Sequence, residues 1–244
     1  MSIIQGAVRA RAPESPISIV FSGLVGDRTD QGTWNMVLPD PGSLLVNDVV
    51  ISNLSVNNGA FNGTDPTDNG WTQVGGVTEV GNSRNYANRT YARRVTSAGS
   101  LTTTERTYSF FTNFINSNTA ASIIVLRGVR NSGGGVGLDL SGIANATISF
   151  PDPPAAVRPE PLSVARGGAG RLAFSFGSLN VTGTVGPAPS GWTRLFLQTY
   201  IGLAGSAQAY CDVRWFPTDG TTIQVAPDPT PTVDGYALVH AIAP

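Results

Sequence analysis

"DNGWTQVGG", residues 68–76, and "PSGWTRLFL", residues 189–197, share Gly-Trp-Thr, with Trp71 and Trp192 lying 121 residues apart. A tripeptide repeats by chance, so the test is whether its flanks repeat with it. They do. "YARRVTSAG" from Tyr91 falls on "DVRWFPTDG" from Asp212, matching Arg93 to Arg214 and Gly99 to Gly220. Upstream, "DVVISNLSVN" from Asp48 falls on "RLAFSFGSLN" from Arg171 after a two-residue slip, and "VLPDPGS" resembles "SFPDPPA" with Asp40 and Asp152 in corresponding places. Downstream, "ASIIVLRGV" and "YALVHAIAP" are both closing apolar runs. Drifting offsets of this kind arise from insertions in loops, which tolerate length changes better than strands. The pattern predicts an internal duplication; the competing reading is two unrelated strand-rich segments that share turn signals.

The units run over residues 33–130 and 139–244, with an N-terminal arm, 1–32, outside the repeat and a glycine-rich join at 131–138. "PDPPAAVRPEP", residues 151–161, holds five prolines and is excluded from helix interior and central strand. Period-two alternation marks strands. In "AYCDVRWF", Ala209, Cys211, Val213 and Trp215 share one face and Tyr210, Asp212 and Arg214 the other. In "RLAFSFGS", Leu172, Phe174 and Phe176 share a face, and in "TRLFLQTY" Leu195 and Leu197 do. No long window carries a capped helical pattern. The expected fold is all-β: two tandem antiparallel β-sandwich domains, jelly-roll-like, related by duplication.

Gly-Trp-Thr then has a physical reading: glycine supplies a turn conformation, tryptophan enters the next strand and buries a large area, and threonine suits the solvent side. Trp71, Trp192 and Trp215 are the expected structural anchors. A sugar-stacking tryptophan is the alternative.

A chain of 244 residues is long enough for two such cores. Charged residues are only 13%, about half the share usual in globular domains, which suits strands and turns. All 15 basic residues are arginine, which fits a GC-rich coding sequence better than a demand for bidentate contacts. A net charge of −1 argues against whole-surface attraction to nucleic acid or to an anionic membrane. The single cysteine, Cys211, rules out an internal disulfide. The N-terminus lacks a secretory apolar region, and no stretch reaches the length of a spanning helix. A soluble protein made without a cleaved signal is expected.

Catalytic chemistry finds little to stand on. His240, the only histidine, shares strand parity with Tyr236, Leu238 and Ile242 and reads as a packed histidine. Without a second histidine or a cysteine cluster no ordinary zinc site can be built, and Cys211 reads as an inert buried thiol. Asp65, Asp68 and Asn69 in "TDPTDNG" lack the spacing of a calcium loop. "NSGGGVG" lacks the lysine and following helix of a phosphate loop. No carboxylate pair suggests glycan hydrolysis, since most acidic residues sit beside turns. No enzyme, cofactor or metal is expected. One concentration stands out: Arg84, Arg89, Arg93 and Arg94 alongside Tyr86 and Tyr91, with Arg89 and Arg93 on one strand parity. It reads as a solvated face, as a protein contact, or as a site for an acidic glycan or nucleic acid.

The order "LVNDVVIS", Gly-Trp-Thr, "YARRV", Ala-Gly turn, threonine-rich strand and "IIVLRGV" resembles a β-sandwich module common among structural proteins of tailed bacteriophages and phage-like gene transfer particles. About 100 residues of each unit are covered. Unit two departs from the pattern, starting "GAGRLAFSF" and ending "LVHAIAP" where unit one has Leu126-Arg127-Gly128. The resemblance implies a virion component, a head decoration, fibre or tail part assembled in the bacterial cytoplasm, and no catalytic residue. It also implies other virion proteins as partners and a homo-oligomer, a trimer by analogy with surface projections. The arm segment "SPISIVFSGLVG" has β character and is expected to pair with a neighbouring subunit's edge. The second expectation is a pair of carbohydrate-binding modules for a bacterial surface polysaccharide.

Overall fold

The computed structural model describes residues 17–29, 32–57, 70–80, 85–112, 117–131, 140–147, 162–164, 171–181, 187–202, 205–216, 221–223 and 234–242. The chain is all-β. Among the described residues, seven strands fall in the first half: β1 Ser18–Thr29, β2 Gly32–Val37, β3 Val49–Asn57, β4 Thr72–Val80, β5 Asn85–Arg94, β6 Thr107–Thr112 and β7 Ser117–Arg127. Seven follow: β8 Leu140–Thr147, β9 Leu162–Val164, β10 Arg171–Val181, β11 Thr193–Gly202, β12 Gly205–Phe216, β13 Thr221–Ile223 and β14 Asp234–Ile242. A 3₁₀ turn at Thr104–Arg106 is the single helical element among the described residues.

Two five-stranded sheets run in the orders β1-β7-β3-β5-β4 and β11-β12-β10-β14-β8, and two-stranded sheets join β2 to β6 and β9 to β13. All of these pairs are antiparallel. Read from the opposite end, the second order is the first with every strand number raised by seven. The registers agree in detail. Val50 pairs with Arg93 as Ala173 pairs with Arg214, which is the two-residue slip seen in the sequence. A bulge between Gln73 and Gly75 on β4 has its counterpart between Arg194 and Phe196 on β11, 121 residues on in each case.

The first core lies between the β2–β6 pair and one face of the larger sheet. Met36, Tyr108 and Phe110 meet Val50, Leu54 and Val56 of β3, Tyr91 of β5, and Ala121, Ile123 and Val125 of β7. The second core is drawn from both halves of the chain. Val49 and Ile51 of β3 and Ile124 and Leu126 of β7 are buried with Leu172, Phe174 and Phe176 of β10 and Cys211 and Val213 of β12. The first large sheet is therefore buried on both faces, and its central strands carry the continuous apolar runs such a position requires. Each fully buried aliphatic or aromatic side chain there stabilises the fold by about 1.5–3 kcal/mol.

Two expectations change. Residues 18–29, placed by sequence in the N-terminal arm, form β1, the outer strand of the first sheet, hydrogen-bonded along its length to β7 of the same chain. Leu195 and Leu197 do not share a face: the bulge resets the alternation, so Leu195 and Phe196 both pack against the second core and Leu197 is 41% exposed. The alternation of β12 holds, with Cys211, Val213 and Trp215 all on the second core.

Candidate functional site

Both Gly-Trp-Thr turns have one conformation. Gly70 and Gly191 sit at φ +82° and +81°, the left-handed region in which glycine alone is free of strain. Each turn delivers a buried tryptophan to the start of its strand, Trp71 at 3% and Trp192 at 7% exposure. Trp71 Nε1 donates to the carbonyl of Glu105 at 2.8 Å, and Trp192 packs edge-on against Phe216. Trp215 is partly buried against the second core. An arginine guanidinium lies over each glycine: Arg93 Cζ is 3.6 Å from where a Gly70 Cβ would stand, and Arg214 Cζ is 2.9 Å from that of Gly191. At Gly191 the missing side chain leaves room for the arginine, whereas at Gly70 a Cβ would make only ordinary contact, so the positive φ is the requirement that both glycines share.

The predicted arginine and tyrosine cluster is divided by its strand. Arg89, Tyr91 and Arg93 alternate along one face of β5, and Tyr91, 2% exposed, belongs to the first core, where its ring lies 5.7 Å from that of Tyr108. Arg89 donates to the Gln73 side chain at 2.9 Å on neighbouring β4. Arg94 has the opposite parity and donates to the carbonyls of Asn47, Val129 and Arg130, clamping the turn before β3 to the chain leaving β7. Burial lowers its pKa from the ordinary arginine value. Tyr86 lies on β5, but its side chain is outside the described residues, as is Arg84. So are Asp65, Asp68, Asn69, most of the glycine-rich join, and the side chains of Tyr200 and His240.

Arg93 instead reaches Glu105 of the 3₁₀ turn, with a nitrogen to oxygen distance of 2.5 Å. The pair stands in a shallow hollow of about 210 Å³ whose rim is the segment 95–101, with Thr96, Ser97 and Ser100 among its lining residues. Burial works against the Glu105 carboxylate, but hydrogen bonds from the Thr102 amide and hydroxyl and from Arg93 outweigh it, leaving its pKa below the ordinary glutamate value. Chemically the hollow offers a guanidinium, a carboxylate and hydroxyls, a set that matches a small polar ligand.

Among the described residues, further arginine–carboxylate pairs stand outside the sequence expectations. Arg127 grips Asp48 through two bonds of 2.9 and 2.8 Å, and Arg194 grips Asp212 through bonds of 2.8 and 3.0 Å. Arg106 reaches Asp40 at 3.5 Å. The Arg127 hydrogen bonds hold the Asp48 carboxyl below the ordinary aspartate value, against the cost of burial. Only strand parity in "AYCDVRWF" hinted at such pairs, by placing Asp212 away from the apolar face. Cys211 is fully buried, and burial pushes its thiol well above the ordinary range. No protein-family model, curated protein or solved structure matches this chain.

Proposed function

We propose that this chain is a non-enzymatic structural component of a tailed-phage or phage-like virion, decorating head or tail and binding neighbouring virion proteins. On this reading it is built from two jelly-roll-like sandwich units that arose by duplication. The observation that carries the reading is the shared seven-strand order of the two halves, with the Gly-Trp-Thr turn and the following bulge in the same place in each. The pairing of Asp48, Glu105 and Asp212 with arginines supports a scaffold role, since these carboxylates are engaged in joining strands and turns. The resemblance noted from sequence supplies the virion context. The test is light scattering after size exclusion on the purified protein, alone and mixed with isolated particles from its source. A discrete oligomer co-eluting with particles is expected; a monomer indifferent to particles refutes the reading.

The hollow beside Arg93 and Glu105 favours a second reading, carbohydrate binding, because its guanidinium, carboxylate and hydroxyls are hydrogen-bonding partners for sugar hydroxyls. Trp71 Nε1 bonds to the backbone carbonyl of Glu105, whose side chain lines the hollow, so tryptophan fluorescence is the readout. Titration with surface polysaccharide shifts that emission on this reading and leaves it unchanged on the first.

A further inference from the structure

The faces that form the second core are equivalent faces of the two units. Val49 and Ile51 correspond in register to Leu172 and Phe174, and Ala92 of β5 to Val213 of β12. The strand contacts are reciprocal as well. β1 packs on β11 and β4 on β8, while central β3 packs on its own counterpart β10. Because β8 is the counterpart of β1 and β11 that of β4, exchanging the two units maps the β1–β11 contact onto β4–β8 and β3–β10 onto itself; β7 also touches β11. Ala120 of β7 and Ala209 of β12 share a small buried cluster between these pairs. A surface that meets its own equivalent in this way is an isologous, two-fold interface.

We infer that the face of the first sheet carrying Val49, Ile51, Ile124 and Leu126 is a docking surface for a unit of its own topology, and that the chain is a two-fold pair joined covalently. This rests on the duplication within the proposed reading. The two faces have also diverged. Unit one buries Asn53, Asn88 and Thr90, joined by hydrogen bonds of 2.8 to 3.0 Å, where unit two has Phe176, Ala209 and Cys211. A unit-one face set against another unit-one face would bring two such amide clusters together in place of the apolar Phe176, Ala209 and Cys211, so the partner that fits is the unit-two face of the same chain.

The test uses the full chain. In a double-mutant cycle of Ile51→Ala and Phe174→Ala, read by denaturant unfolding, the double variant should depart from the product of the single effects by about threefold or more in the unfolding constant. Leu54→Ala, on the other face of β3, should combine additively with Phe174→Ala. If the alanine variants fail to unfold cooperatively, Ile51→Val and Phe174→Leu serve instead. Reciprocity is read separately, in a Cys211→Ala background. Cysteines at Ala120 and Ala209 should form a disulfide, and so should cysteines at the two-fold related positions Asn88 and Tyr236. Additivity of Ile51 and Phe174 overturns the contact. A disulfide at the first pair alone overturns the two-fold relation. Neither result depends on particle binding, so loss of the virion role would leave this inference standing.

Discussion

Substituting alanine for three glycines at nearly the same φ separates backbone strain from crowding. Gly42, Gly70 and Gly191 lie at φ +74°, +82° and +81°. A Cβ in this region costs about 1–2 kcal/mol. For a chain of this length that corresponds to a melting temperature lower by about 2–8 °C. Their surroundings differ. A Cβ at Gly42 meets nothing within 4 Å, one at Gly70 makes ordinary contact at 3.6 Å with Arg93, and one at Gly191 comes within 2.9 Å of Arg214 Cζ. Arg214 must then swing away from the Phe216 ring, over which it lies at 4.8 Å, and from the Ser190 carbonyl. Losing that cation–π contact adds about 0.5–1 kcal/mol. Thermal melts followed by circular dichroism should rank Gly42→Ala and Gly70→Ala together and Gly191→Ala below both. In an Arg214→Ala background the excess at Gly191 should vanish. An excess that persists there refutes the crowding argument, and a cost below about 0.5 kcal/mol at all three sites refutes the conformational one.

Asp48→Asn should cost on the order of 1–3 kcal/mol by denaturant melt, because the buried oxygens lose charge-assisted bonds to Arg127 and the Leu45 amide. Since the folded pKa of Asp48 lies below the ordinary 3.8, its contribution is fully present above that value and is lost as pH falls through the folded pKa. The gap between wild type and variant should therefore close in acid, and a gap constant down to pH 2 counts against the pairing. Cys211, buried and with its thiol pKa raised, should react with a thiol reagent only at the rate of unfolding; rapid labelling of the native protein contradicts its burial. Trp71→Phe should lower stability by about 0.5–1.5 kcal/mol for the lost bond to Glu105, before any packing loss, as read from the denaturant midpoint.

Strand character, the faces of β10 and β12, and the equivalence of the two Gly-Trp-Thr turns were legible because each is a local property. Period two fixes which side chains share a face, and a glycine before a tryptophan fixes a turn. Partners are not local. Asp48 and Arg127 are 79 residues apart, and nothing in either segment names the other. Within the arginine cluster, parity sets Arg89 and Arg93 on one face from sequence alone, but that Tyr91 between them enters the core and that Arg94 clamps distant carbonyls on the opposite side depend on what packs against β5.

The deepest difference concerns what covers the first sheet. Apolar side chains at consecutive positions, Val49 to Ile51 and Ile123 to Leu126, signal burial on two faces, and that signal was present in the sequence. It was masked by Asn53, Asn88 and Thr90, which fall on the second face at positions a strand normally gives to solvent. Polar side chains mark a wet face only when water is their best partner. Here Asn53 and Asn88 exchange amide hydrogen bonds across β3 and β5, and Asn53 also donates to Thr90, so the groups satisfy one another and remain buried between the sheets. A pattern that counts polar residues cannot see this. A register that pairs them can, because Asn53 lies directly opposite Thr90 and one step from Asn88 on the same face.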